Sequence, residues 1–350
     1  MIDFLIVGGG FSGIAFSWEL EQRNISYTLV DPALFNSATT VSGGLINPVT
    51  GRRSSLQWNI DKLLPQIKNN YSKLEKILHC RLIYECNILK IHKSESALED
   101  WQKAIQTKEL QAYIGDAANV STYQRFLDFR YGVVNITSAL RIDTLMLTSK
   151  YFEYIDKKLI KKVIDYHTIT LKKEEIIFEN EKYKYIVFCE GIGALENPWY
   201  KNIPFKPAKG ECMIIEIPNF STDMIIHKGI ILIPLGEHKF WAGATNTWND
   251  LSIVKTEGGT EDLKNGLAQL LKVPYSILEH KVAIRPTIRD RAPVVGGHPE
   301  HKNMFILNGM GTKGASLSNF YADKLLEFIL KGQEIPKEAN ISRFYDLLRV

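Results

Sequence analysis

Two glycine-rich turns, lying almost three hundred residues apart, hold the residue types from which chemistry could be built. The first, Gly8-x-Gly10-x-x-Gly13, follows the apolar run Phe4-Leu-Ile-Val7. Its spacing suits a dinucleotide. Gly8 permits a tight turn, Gly10 lets the backbone approach a pyrophosphate, and Gly13 lets the following helix lie close to its sheet. A helix beginning near Ser12 would aim its unpaired N–H groups and positive dipole end at the phosphates. Asp31 closes the next apolar run, Tyr27-Thr-Leu-Val30, eighteen residues after Gly13, where a carboxylate can accept from a ribose hydroxyl. The second turn, Gly309-x-Gly311-Thr312-Lys313-Gly314, follows Met304-Phe-Ile-Leu307 and offers another helix N-terminus to another polar part of a ligand. Between them Arg285 leads from a strand directly into the Pro286 turn, a place where side chains commonly meet ligands.

The elements that must position these residues are legible in the hydrophobic pattern. Residues 1 to about 32 read as a βαβ unit, with Phe11, Ile14, Ala15 and Trp18 as the inward stripe of its helix. The segment 38–53, rich in glycine and polar residues, reads as a long functional loop. Helical spacing runs from Leu56 to His79, alternation from Arg81 to His92, and helical spacing again from Ala97 to Leu110. Tyr131 to Ile136 is expected as a strand, and Asp143 as the cap of a helix reaching about Lys158. Short strands are expected at 162–164, 168–171 and 176–178. The buried strand from Tyr185 then opens onto Cys189-Glu190-Gly191, a second point where strand ends could meet the ligand. Strands at 212–217, 229–234 and 240–245 with turns between them read as an antiparallel sheet. A helix over 260–271, a strand at 304–307 and a helix over 315–330 complete the chain.

Composition bounds the class. A chain of 350 residues, 45% hydrophobic and 23% charged, can bury a large core and form two structural domains. A net charge of +4, with lysines scattered among acids, makes no basic stripe for nucleic acid. Clusters such as Lys157-Lys158 and Lys161-Lys162 read as solvated element ends. No apolar run reaches bilayer-spanning length, and the first residues lack the plan of a signal peptide. Cys80, Cys86, Cys189 and Cys212 match no metal or disulfide spacing and read as reduced thiols of a cytoplasmic protein. His298-Pro-Glu-His301 reads as a surface turn, and no metal site is expected.

Taken in order, these motifs resemble the FAD-dependent oxidoreductases of the D-amino-acid oxidase, glycine oxidase and sarcosine oxidase superfamily along essentially the whole chain. The residues that carry the resemblance are Gly8-x-Gly10-x-x-Gly13 with Asp31, Ser42-Gly43-Gly44, Cys189-Glu190-Gly191, Gly243-Ala-Thr245, Arg285-Pro286 with Asp290 and Pro293, and Gly309-x-Gly311-x-Lys313-Gly314. The stretch from Arg285 to Gly296, with Gly311 to Gly314, is also similar to the oxidase half of the bifunctional enzymes that modify wobble uridines of tRNA. The implied fold is α/β, a Rossmann-like FAD domain over 1–60, 140–208 and 282–350. A substrate domain built on a mainly antiparallel sheet would take 61–139 and 209–281.

The resemblance implies FAD, and because all four cysteines lie outside the Gly309–Gly314 loop its attachment is expected to be non-covalent. Gly8, Gly10, Phe11, Ser12 and Gly13 would meet the pyrophosphate, Asp31 the ribose, the backbone near Val163 the adenine, and Ser42, Gly43 and Gly44 the flavin. Gly191 would meet the cofactor from the second strand end. Gly309, Gly311, Thr312 and Gly314 would bring amides and a helix dipole to the pyrimidine end of the ring, where the reduced form is negative, and Lys313 either adds its charge there or reads as a solvated loop lysine. Arg285 would grip a substrate carboxylate through its planar fork, the alternative being an ion pair with a structural acid such as Asp290. Arg289 and Asp290 read as a structural pair, whereas Arg52 and Arg53 either greet an anionic substrate or face solvent. The implied reaction removes a hydride from the carbon beside a substrate amine to flavin N5, leaving an imine for water to hydrolyse. Three readings stand: oxidation of a small amine or amino acid, oxidation of a carboxymethylaminomethyl-uridine side chain in tRNA, and a flavin-binding module without catalysis. The electron acceptor, oxygen or a quinone, stays open.

Overall fold

The computed structural model describes residues 1–350 apart from Phe35, Arg52, Arg53, 117–119 and Val350. Its first layer grows from the opening apolar run. Phe4, Leu5 and Ile6 of the Ile2–Val7 strand are fully buried, as a parallel strand covered on both faces must be. This strand pairs in parallel with Tyr27–Val30 on one side and Glu181–Phe188 on the other. Leu159–Ile160 extends the parallel row past Tyr27–Val30, and Met304–Asn308 extends it past Glu181–Phe188. Strands far apart in sequence therefore deliver Gly8, Asp31, Gly191 and Gly309 to one edge, the carboxyl edge, where open α/β sheets bind ligands.

Helices cover one face of this sheet. Phe11–Gln22, Ile60–Leu78, Thr144–Tyr154 and Gly314–Lys331 share one core containing Trp18, Leu74, Tyr151 and Tyr321. Asp143 starts the third of them as expected, its carboxylate accepting from the Met146 N–H at 3.0 Å.

A second, mainly antiparallel sheet carries the opposite wall. Its strand order is Ser276–Arg285, Ala208–Glu216, Lys239–Gly243, Ile230–Gly236, Ile225–Lys228, Ile83–Ile91, Val133–Ile142 and Leu45–Ile46. Only the Ile225–Lys228 and Ile83–Ile91 pair within that order is parallel. Side-chain alternation divides it. Met213, Ile215, Leu232, Phe240 and Ala242 pack on one side with Leu263 and Leu267 of the Glu257–Leu270 helix. Ile88, Ile225, Ile233 and Trp241 point to the other side with Val49 and Trp101. The loop after the first βαβ unit lies on that second face, where the Trp241 indole N–H donates to the Val41 carbonyl at 2.9 Å.

Several expectations shift. Residues 162–164 form no strand; pairing with Tyr27–Val30 uses Leu159–Ile160 instead. The expected 97–110 helix is two, Glu95–Ala104 and Lys108–Gln111. The expected 131–136 strand runs from Val133 to Ile142, because Ala139 and Leu140 continue the ladder with the strand at 83–91. Strands Val133–Ile142 and Ser276–Arg285 cross the expected boundaries at 139/140 and 281/282. No helix among the described residues is long and apolar enough to cross a membrane.

Candidate active site

The first glycine turn is shaped by close backbone approach. Gly8 has a φ of +100°, and a Cβ there would stand 2.5 Å from the Cys189 carbonyl oxygen. A Cβ on Gly13 would overlap the Gly8 carbonyl oxygen. The helix starts at Phe11 after Gly10, with no side-chain cap and no acid in its first turn. That leaves first-turn amides free for an anion. One is committed within the protein, since the Phe11 N–H donates to Thr39 Oγ1 at 3.0 Å. Ser12 follows it, partly exposed at the same end.

Asp31 braces this turn. Its carboxylate accepts from the Gly9 N–H at 2.6 Å and from the Ala33 N–H at 2.7 Å. Burial pushes the carboxyl up, against the pull of those two amides. Gly9 and Thr39 were missed by the spacing argument. A Cβ on Gly9 would press on the Phe152 ring at 2.5 Å, a constraint visible only once the 144–154 helix is in place.

The second glycine turn meets the first. A Cβ on Gly314 would stand 2.9 Å from the Phe11 ring, so the two helix starts touch through the side chain Gly314 lacks. Gly309 and Gly311 have φ of +77° and +57°, conformations that favour glycine. Asn308 ties the neighbouring strand ends together, its amide donating to the Gly191 carbonyl at 2.9 Å. The helix from Gly314 also lacks a side-chain cap. Thr312 is exposed, Lys313 is half-buried, and burial lowers the Lys313 ammonium without an ion pair among the described residues. Glu190, beside Gly191, accepts from the Tyr166 hydroxyl at 2.6 Å and the Asn197 amide at 2.8 Å, while desolvation raises its carboxyl to about 7.

Other expected residues take different places. Side chains on Gly43 and Gly44 would collide with Ile233 and the Ile142 carbonyl, so these glycines are required by protein packing around the loop. Ser42 donates its hydroxyl to the Thr39 carbonyl at 2.8 Å. Val163 lies just beyond the Leu159–Ile160 strand and is 71% exposed, at the margin of the same carboxyl edge. Asp290 turns the chain, accepting from the Ala292 N–H, but its ion partner is Arg343 at 2.8 Å rather than Arg289. His298, expected in a surface turn, is buried against Tyr200, and no metal-holding cluster occurs among the described residues. Arg52 and Arg53 lie outside the described residues.

Arg285 ends its strand on the face of the second sheet that holds Ala283 and Cys212. Its Nη1 and Nη2 both donate to the Thr245 carbonyl at 3.1 Å, and Nη1 to Asn246 Oδ1 at 3.2 Å. Gly210, on the next strand, makes room for the guanidinium, which a Cβ there would overlap. No carboxylate pairs with Arg285 among the described residues; its partners are a carbonyl and an amide, and desolvation lowers its pKa. The reverse side of that strand anchors the supporting segment. Buried Lys209 binds Asp250 at 2.6 Å and Ser252 at 3.1 Å, and buried Glu211 accepts from Thr256 Oγ1 at 2.6 Å and meets His280 at 2.8 Å.

These residues fit an extended FAD. Two uncapped helix starts touch, each rises from a glycine turn that a Cβ would fill, and a carboxylate stands at the adjacent strand end. Burial raises all four thiols, Cys86 and Cys212 to about 12, which keeps them protonated and poorly nucleophilic.

Comparison with known proteins supplies an independent view. The model of the family described as FAD dependent oxidoreductase (DAO) matches residues 3–327. The uncharacterized oxidoreductase YurR of Bacillus subtilis is 22% identical, with 95% of this chain and 96% of that one covered. The tRNA 5-methylaminomethyl-2-thiouridine biosynthesis bifunctional protein MnmC of Acinetobacter baylyi is 24% identical over 97% of this chain, which spans 54% of that longer protein. Among solved structures, glycine oxidase from Geobacillus kaustophilus superposes with a TM-score of 0.78 at 18% identity, covering 95% of each chain.

Proposed function

The chain belongs to the DAO family of FAD-dependent oxidoreductases, and we propose that it oxidises a C–N bond of a small amine or amino acid whose carboxylate Arg285 holds. The observation that carries this reading is the state of Arg285. A guanidinium on the wall facing the loop of Ser42–Gly44 is held, among the described residues, by neutral acceptors alone. A substrate carboxylate can replace them with a charge-assisted, bidentate pair. FAD, when bound, supplies the hydride acceptor.

The chain's own residues do the placing. Gly210 seats the Arg285 fork, and Thr245 with Asn246 aims it until a carboxylate arrives. Trp241 and Ile233, packed against the loop, form an apolar wall that keeps water from the reacting carbon. Lys313, at the start of its helix, adds positive charge beside the second glycine turn.

The similarity to MnmC supports a second reading, in which the amine and carboxylate belong to a modified uridine of tRNA and meet the same Arg285. Anaerobic mixing of the FAD-loaded protein with glycine, sarcosine, D-amino acids and proline separates the two. Bleaching of the flavin by one of them supports the first. Absence of bleaching together with salt-sensitive tRNA binding supports the second and removes the first.

A further inference from the structure

We infer that Lys90, Ser54, His92, His227 and Lys93 form an oxyanion-binding subsite on the loop-covered face of the second sheet, taking an anionic group that the substrate carries away from its oxidised amine. The substrate assignment rests on the amine-oxidising reading above; the subsite itself rests on geometry.

Lys90 and His227 are register partners on adjacent strands. They alternate with Ile88 and Ile225, and so share the face that holds Ile233 and Trp241. The Lys90 ammonium stands 2.7 Å from Ser54 Oγ and 4.2 Å above the Trp101 ring. It has no carboxylate partner among the described residues, unlike the buried Lys209 and Lys228, which pair with Asp250 at 2.6 Å and Asp128 at 2.9 Å. Lys90 is half-buried, and an ammonium drawn partly out of water with only a hydroxyl and a ring beside it can gain from an anionic partner.

The surrounding groups all donate or attract negative charge. His92 is 2% exposed, tilts against the same Trp101 ring, and its Nε2 has no hydrogen-bond partner. Ser54 is buried with a φ of +51°, a conformation rare outside glycine, which holds its hydroxyl over Lys90 and leaves that proton to donate. Gly229 lacks a side chain where the Lys93 ammonium folds in. Burial first, then the neighbouring lysines, hold His227 down to about 4, and burial brings Lys90 down to about 8. An arriving oxyanion would relieve the mutual repulsion and collect hydrogen bonds from Lys90, Ser54 and His92.

The test uses the full FAD-loaded chain. Calorimetric titration with inorganic phosphate should show binding that Lys90→Met weakens at least tenfold and Lys90→Arg partly restores. Steady-state rates on amino diacids of rising chain length, against amino monoacids of equal length, should show a kcat/KM preference for a diacid that Lys90→Met reduces at least tenfold. Phosphate binding that is absent, or equal in wild type and Lys90→Met, would overturn the subsite. Lys90-dependent phosphate binding with an unchanged diacid ratio would overturn its assignment to the substrate. Lys90-dependent phosphate binding in a protein whose flavin no amino acid reduces would leave the subsite standing and sink the amine-oxidising reading instead.

Discussion

Arg285 shows how much a single guanidinium depends on what its neighbours lack. Gly210 gives it room, and a methyl group there would strike the fork itself. Gly210→Ala is therefore predicted to raise KM for an amino-acid substrate roughly tenfold or more while the FAD content of the purified protein stays unchanged. Equal KM in both proteins would show that the seat is unimportant. Gly13→Ala makes the opposite division. Its Cβ would overlap the Gly8 carbonyl oxygen, so the turn must open and the purified protein should lose most of its flavin colour. The sequence exposed Gly13 and Arg285 as candidates through spacing and position. It could not expose Gly210 or Asn246, whose meaning comes from strand register, nor Arg343, which meets Asp290 across 53 residues of chain.

At the scale of elements, the strand ending at Phe188 and the turn at Gly191 are held by a carboxyl that burial keeps near neutrality. Glu190 accepts from Tyr166 and Asn197, yet desolvation outweighs both and raises it from 4.5 to about 7. Because the folded pKa lies above the unfolded one, the protonated form favours folding. That contribution is complete below pH 4.5 and is lost as pH rises through about 7. Its size is on the order of 2 kcal/mol, allowing for partial exposure. Glu190→Gln should flatten the stability profile between those limits in denaturant titrations at several pH values; an unchanged slope would contradict the assignment. Periodicity placed the Ile176–Phe178 strand and the helices at 60–78 and 314–331 well. It failed at 162–164, where an apolar pair inside a lysine-rich run has the composition of a strand but no neighbour to pair with. It also failed to single out Lys209 and Glu211, which lie outside the strand expected at 212–217 and gain their partners Asp250 and Thr256 only when the segment carrying those residues folds over them.

At the scale of the whole molecule, the ligand edge is made by strands that only the folded sheet brings together. The two glycine turns touch through Phe11 and Gly314, so a ligand bound across them should stabilise the entire first layer. FAD added at a hundredfold excess over its dissociation constant is expected to stabilise the folded state by about 2.7 kcal/mol, read as a rise in thermal midpoint. A midpoint indifferent to FAD would contradict the cradle. The central claim joins that cradle to the arginine on the opposite wall, and stopped-flow reduction of the bound flavin under anaerobic conditions tests it most directly. With an amino acid that reduces the wild type, Arg285→Ala should retain full flavin absorbance before mixing, and the apparent Kd for the amino acid should rise about a hundredfold. An unchanged apparent Kd in the Arg285→Ala protein would contradict the account.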